Sequence, residues 1–278
     1  VQQIKQVTWY DQHHYEVELE DGKKDYFASV TTKLQAISSP WLASWRGQLG
    51  NVECDRILKE SQVKGSRIHK AFETYVKSGT VIVRLPYNNE YTDEEIKDIA
   101  ETTQGNYFVI EDQDEALAFW RLTRFLGAVK PEILDSERMV YSLKHREAGT
   151  ADGVLYIKSG TYEINGSKPV SLPEGKYVVD IKSGKSVSET AYLQMSAYTH
   201  MMEEMGIHSD IVGALVLHTG SQNRKAIEGF ATHYISRGEI DEYYKVYRNA
   251  SEVWKWQNKN STSFRPRIFN LPTKYTLK

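Results

Sequence analysis

The chain opens with apolar and polar positions in alternation. Val7-Thr8-Trp9-Tyr10 is followed by His14-Tyr15-Glu16-Val17-Glu18-Leu19, and Glu20-Asp21-Gly22-Lys23 reads as a turn. A period of two predicts strands with one buried face, so the first 27 residues read as extended. The period then lengthens. Ser29 is placed to cap a short helix through Leu34, and Pro40 opens another that carries Trp41 and Trp45. Ile68, Ala71, Phe72 and Tyr75 recur at helical spacing and predict a helix over about 65–76. Residues 92–102 read as an acidic surface helix. Residues 114–128 read as an amphipathic one, with Leu117, Trp120, Leu122 and Phe125 near one side.

From Pro131 the texture changes. Residues 137–141, 149–157 and 177–182 read as strands, the last two separated by a hairpin-like stretch around Gly160 and Gly166. A strong helix follows over 189–204, then strands over 211–218 and 229–235, a helix over 239–258, and an irregular tail with Pro266 and Pro272. Strand–strand–strand–helix–strand is the order of a mixed α/β core, with the earlier helices packed beside it or forming a lid. No repeat or low-complexity linker divides the chain. One domain is expected: residues 1–130 as a β-hairpin and helical region that arches over the site, 131–236 as the core, and 237–278 as a C-terminal helix and basic tail.

Composition adds little to this picture: 278 residues, 40% hydrophobic and 26% charged, fit an ordinary globular protein. No apolar run approaches the roughly 20 residues of a membrane helix. The start, Val1-Gln2-Gln3-Ile4-Lys5, lacks a signal-peptide core and reads as cytoplasmic, or as a processed or trimmed start. The single cysteine, Cys54, excludes an internal disulfide and a four-thiolate cluster. Charge is uneven under a net of −2: residues 87–115 carry −9, and 222–278 carry +6. A basic tail suits phosphates, and it equally suits a solvated helix face.

The chemistry centres on Val178-Val179-Asp180-Ile181-Lys182. Residues two apart on a strand share a face, so Asp180 and Lys182 present a carboxylate beside an ammonium while Ile181 points into the core. The carboxylate suits Mg²⁺ or Mn²⁺. The lysine can orient or deprotonate a water, or stabilise charge on a phosphate. The same triplet also reads as a surface ion pair. Asp152, in Gly149-Thr150-Ala151-Asp152-Gly153, sits on an adjacent strand where two carboxylates reach one metal; it also reads as a turn aspartate. Gln194 and Tyr198 are i,i+4 partners on the strong helix, within reach of the lysine or a bound water, or at the polar boundary of a core helix. His69 is a possible imidazole ligand or a structural histidine. Gly65, one turn before it, leaves room for something to approach, and Glu73, one turn after, is placed to orient or supplement it.

Together these pieces resemble the PD-(D/E)XK nuclease superfamily, in particular its RecB-like exonuclease branch, which includes phage exonucleases and the mitochondrial genome maintenance exonuclease. They are the G-x-x-x-H helix (Gly65, His69), the S-E-R-M-V-Y strand (Glu137), the A-G-T-x-D strand (Gly149, Asp152), the V-D-I-K-S strand (Asp180, Lys182, Ser183) and the L-Q-x-x-A-Y helix (Gln194, Tyr198). They occur in family order over about 29–235. The resemblance implies a restriction-endonuclease-like mixed central sheet flanked by helices, with an N-terminal helical region. It implies Mg²⁺ or Mn²⁺ on His69, Asp152, Asp180 and the backbone carbonyl of Ile181, and Lys182 positioning the nucleophilic water. Gln194 and Tyr198 support the site, Ser183 lies near the DNA backbone, and Glu137 supports the site or contacts substrate. Members with an iron–sulfur cluster use four cysteines, so none is expected here.

The expected reaction is phosphodiester hydrolysis of DNA, entered from single-stranded ends, in DNA repair or recombination in a bacterial or phage-infected cell. Trp41, Trp45, Phe72, Tyr75 and Trp120 are candidates to stack bases or to pack in the core. The rivals are a structure- or sequence-specific endonuclease on the same core, and a nuclease-like module that binds DNA or protein without cutting.

Overall fold

The computed structural model describes residues 3–9, 12–37, 40–77, 79–85, 91–164, 168–220 and 229–259. Gly166 and the tail with Pro266 and Pro272 lie outside them, as do six of the eleven bases of the expected basic tail.

The alternating start forms three antiparallel strands, β1 (Gln3–Trp9), β2 (Gln12–Glu18) and β3 (Lys24–Ser29). Ser29 ends β3 and caps α1 (Val30–Leu34) by accepting from the Thr32 amide. Then come α2 (Pro40–Leu49) and α3 (Asn51–Val76). α3 begins well before the expected 65, because its first half is solvated on most sides and so shows no apolar stripe to read. Ile68, Ala71 and Phe72 are buried as expected, whereas Tyr75 is exposed and meets Phe119 edge-on. β4 (Thr80–Val83) and β5 (Tyr107–Ile110) form a small parallel pair that the pattern did not suggest.

Between them lies the acidic α4 (Asp93–Thr102), held by a capping box from Thr92 and Glu95. α5 (Gln113–Val129) turns Ala118, Phe119, Leu122, Phe125 and Val129 inward. Leu117 and Trp120 face solvent, so the expected stripe is rotated. The acidic segment is anchored to bases: Arg67 to Glu115, Lys64 to Asp112 and Asp114, and Arg84 to Asp93 and Glu111.

The remaining strands are β6 (Glu132–Ser142), β7 (Glu147–Ile157), the short pair β8 (Gly160–Tyr162) and β9 (Val170–Leu172), and β10 (Gly175–Lys182). α6 (Glu189–Glu204), β11 (Ile211–His218), β12 (Ala231–Ser236) and α7 (Arg237–Asn258) complete the chain. The main sheet has the order β1-β2-β3-β7-β10-β11-β12, with β6 also on β7. β10 and β11 are parallel, as are β3 and β7; the other pairs are antiparallel. The result is a mixed central sheet flanked by helices, and the N-terminal strands belong to that sheet. Val178, Ala214 and Val216 pack under α6 and α7, while Val179, Ile181, Leu215 and Leu217 pack under α3 and α5. No described helix is long and apolar enough to cross a membrane.

One detail of the ladder positions the site. β6 follows β7 along nearly its whole length, but the opposite edge of β7 changes partner. Glu147 and Ala148 pair with β3, and Gly153 through Ile157 pair with β10. Between them, Gly149 to Asp152 pair with neither strand, and the sheet opens.

Candidate functional site

The opening in the sheet leads into a cleft of about 490 Å³. Its walls come from β1, β2, β3, α1, α3, β6, β7, β10 and α6, and it is lined by His69, Glu137, Lys182, Gln194 and Tyr198 among others. Where the β7–β10 ladder stops, the Asp152 side chain takes over: its Oδ2 accepts from the Ile181 amide at 2.6 Å. His69 closes the arrangement from α3. Its Nδ1 lies 3.1 Å from Asp152 Oδ1, and its Nε2 lies 3.0 Å from the Ile181 carbonyl oxygen. Both ring nitrogens therefore face oxygens, which suits a protonated imidazole donating twice. Burial works against that charge, but the Asp152 carboxylate outweighs it, with Asp180 adding, and raises His69 to about 9. Reciprocally, and against its own burial, Asp152 is held below the usual carboxylate range by His69.

Asp180 and Lys182 share a face of β10, as strand alternation requires. The Lys182 ammonium donates to Asp180 Oδ1 at 2.9 Å and faces Oδ2 at 2.8 Å without hydrogen-bond geometry. Burial pushes Asp180 up, with Lys182 opposing and Asp152 adding. Lys182 is raised: burial opposes its charge, and the two aspartates overcome it. A lysine so held is a cation and proton donor at neutral pH, not a base. Gln194 Nε2 donates to Asp180 Oδ1 at 3.3 Å and to the Tyr198 hydroxyl at 3.1 Å, so the i,i+4 pair braces the carboxylate from α6. Tyr198 fits because Gly149 has no side chain; a Cβ there meets its ring at 2.2 Å.

Glu137 takes a larger part than its sequence suggested. The register Ser136↔Gly153 and Arg138↔Ala151 sets it across from Asp152. Its φ is +51°, a left-handed conformation that costs a non-glycine residue about 1–2 kcal/mol and that clusters at functional sites. Burial, with Asp152 adding, raises its carboxyl to about 7. His69, Glu137 and Asp152 offer ligand atoms that all lie within 4.8 Å of one another. One imidazole and two carboxylates form a mostly oxygen donor set that fits Mg²⁺ or, with the imidazole, Mn²⁺. Asp180 is not in that trio; it stands beside it, engaged by Lys182 and Gln194.

Other expectations fare unevenly. Glu73 does not orient His69, because Lys70 at 2.8 Å and Lys77 at 2.7 Å hold it. What approaches Gly65 is Ser183, whose Oγ lies 3.7 Å from a Cβ built on the glycine, an ordinary contact that does not demand glycine. Of the aromatic residues considered for base stacking, Phe72 is in the core, Trp45, Tyr75 and Trp120 do not line the cleft, and the Trp41 side chain lies outside the described ones. The aromatic residues that do line it are Tyr15 and Tyr198. Tyr15, whose hydroxyl lies 2.9 Å from Thr150 Oγ1, was not singled out. Its place in an alternating strand was legible, but the joining of that strand to β3, and so to β7, was not. In comparison with known proteins, no family model matches this chain and no curated protein matches it.

Proposed function

We propose that the cleft is the active centre of a divalent-metal-dependent deoxyribonuclease that hydrolyses phosphodiester bonds, working from the ends of single-stranded DNA. The observation that carries this reading is that His69 and Glu137, clustered with the buried Asp152, line one cleft with Lys182, from elements far apart in sequence.

His69, Glu137 and Asp152, with Asp180 beside them, would hold the cation, and a Mg²⁺ or Mn²⁺ there would supply a lowered water pKa and charge neutralisation at the phosphate. Lys182 stays protonated, orients the attacking water and donates to a phosphate oxygen. Gln194 and Tyr198 fix Asp180, so the lysine and the carboxylate keep their relative positions. Ser183, next along the chain, lies near the DNA backbone. Residues of β2 and α3 are among those that line the cleft where the strand would lie.

The test is digestion of linear and circular single-stranded DNA with Mg²⁺ or Mn²⁺. Cleavage of the linear strand alone is expected. Cleavage of the circle means an endonuclease, and undiminished activity in excess chelator removes the metal-dependent reading.

A further inference from the structure

A second cleft, of about 630 Å³, lies on the other face of β2 and β3. Strand alternation separates the two: His13 and Tyr15 line the candidate active cleft, whereas His14, Tyr26 and Ala28 line this one. Its remaining walls are α1, the turn between β6 and β7, and the last turns of α7.

The lining carries five cations, Lys24, Lys33, Lys144, Arg146 and Lys255, against one carboxylate, Asp25. Lys24 pairs with Glu16, Arg146 with Asp25 and Lys255 with Glu252, all with solvent-exposed cations. Exposed pairs of this kind contribute little, so these cations turn to another anion at little cost. Lys144 makes no ion pair among the described residues. At the floor, Lys33 is 1% exposed and bound to Glu147 at 2.6 Å. Burial lowers Lys33, Glu147 opposes, and Lys255 and Arg248 press it further down. His145 is lowered by burial and then by Arg248, with Lys144 adding. Neighbouring cations thus press on Lys33 and His145, Lys144 has no carboxylate of its own among the described residues, and an anion seated among them relieves that repulsion.

We infer that this cleft is an anion site that takes phosphate groups, either along a polynucleotide strand or in a free polyphosphate. The volume falls within the roughly 300–1,000 Å³ of small-molecule sites, room for a triphosphate or a short run of backbone. Lys144, Arg146 and Lys255 stand at the rim and supply the movable contacts; Lys33 lies beneath, its charge met by Glu147. The site lies on the opposite strand face from the candidate active cleft and does not depend on the nuclease reading.

The full chain, in chelator so that cleavage does not enter, is titrated with tripolyphosphate and separately with a short fluorescein-labelled oligothymidylate. The same titrations are run on Lys144→Glu with Lys255→Glu. A polynucleotide site predicts oligothymidylate binding about tenfold weaker in the variant, with a salt slope shallower by about 1.4 for two lost phosphate contacts. A polyphosphate site predicts loss of the tripolyphosphate heat with oligothymidylate binding unchanged. If both ligands bind the variant as they bind the parent, or if neither binds the parent, the inference is overturned. Lys144→Gln with Lys255→Gln removes the charges without adding acids and serves if the reversal does not fold. Cleavage of a dinucleotide too short to span both clefts is measured alongside: its absence with phosphate binding intact counts against the nuclease reading alone.

Discussion

His69 Nε2 on α3 lies 3.0 Å from the carbonyl oxygen of Ile181 on β10, 112 residues further along the chain. The other ring nitrogen faces Asp152 at 3.1 Å, and Asp152 in turn accepts the Ile181 amide. One residue is thus held on both sides, its N–H by a carboxylate and its C=O by an imidazole, where the sheet opens.

The charge on His69 makes stability depend on pH. Its pKa is raised to about 9, so in chelator its contribution is complete below the unfolded value of about 6.5 and is lost as pH rises through about 9. Relative to His69→Gln, the parent should be more stable by about 3 kcal/mol near pH 6, with the gap closing towards about pH 10. Urea unfolding of both proteins across this range measures it; a gap independent of pH would mean that the imidazolium contributes nothing.

Glu137 carries a different signature. Its carboxyl is raised to about 7, so its stabilising contribution is present below about 4.5 and is lost as pH rises through about 7. Glu137→Gln should therefore raise the melting temperature in chelator at about pH 8 and leave it unchanged at about pH 4. The same substitution should weaken Mn²⁺ binding. Stabilisation without weakened Mn²⁺ binding would remove Glu137 from the donor set.

Cation binding should release protons. The donor set needs neutral His69 and ionised Glu137, so Mn²⁺ and Mg²⁺ affinity should rise with pH through about 7 and again towards about 9. The imidazole should make Mn²⁺ the tighter of the two, and Ca²⁺ should bind while supporting little cleavage. Calorimetry in buffers of different ionisation heat counts the protons, and a count of zero contradicts the assignment.

Asp180→Asn and Lys182→Ala should each lower cleavage by at least about 10²-fold. Only the aspartate change should also weaken Mn²⁺ binding, since the role proposed for Lys182 is on water and phosphate. Single-turnover digestion beside a Mn²⁺ titration separates the two roles. Near-normal turnover by a folded Lys182→Ala protein would reduce Asp180–Lys182 to a structural ion pair.

Gly149→Ala tests the brace behind Asp180. The new methyl meets the Tyr198 ring at 2.2 Å, an overpacking expected to cost about 1–3 kcal/mol. Adding Tyr198→Ala removes the clash, so the double variant should lose less than the sum of the singles. Additive losses in thermal unfolding would show that the two positions do not meet.

The parts of the site that alternation and helical spacing govern were legible in the sequence. Asp180 and Lys182 share a face because they are two apart on β10, and Gln194 meets Tyr198 because they are four apart on α6. What depended on register or on distant packing was not. Glu137 joins His69 and Asp152 only through the β6–β7 pairing, and no local pattern announces that partner. The first half of α3 buries Cys54 alone, too little for a period to show. β4 and β5 are runs of four residues, too short for a period to emerge. Trp120 and Leu117 look like core residues by type, yet α5 turns them to solvent because Phe119, Leu122 and Phe125 already fill the inner face.

The change of partner along β7 also fixes when the cleft can exist. β3 ends at Ser29 and its partner on β7 begins at Glu147, so the first three strands wait for more than a hundred residues of chain before they have a sheet to join. Such long-range pairing is slow to close. During synthesis, which proceeds from the N-terminus, Tyr15, Val17 and Phe27 have their apolar face uncovered until β7 arrives, and the gap has no second bank until β10 follows. In refolding followed by amide exchange, Ile181 should therefore gain protection no earlier than Leu155. A growing chain carries His69 from early on, but the residue that His69 grips is supplied 112 residues later, so the opening in the sheet takes shape only once β10 has been made.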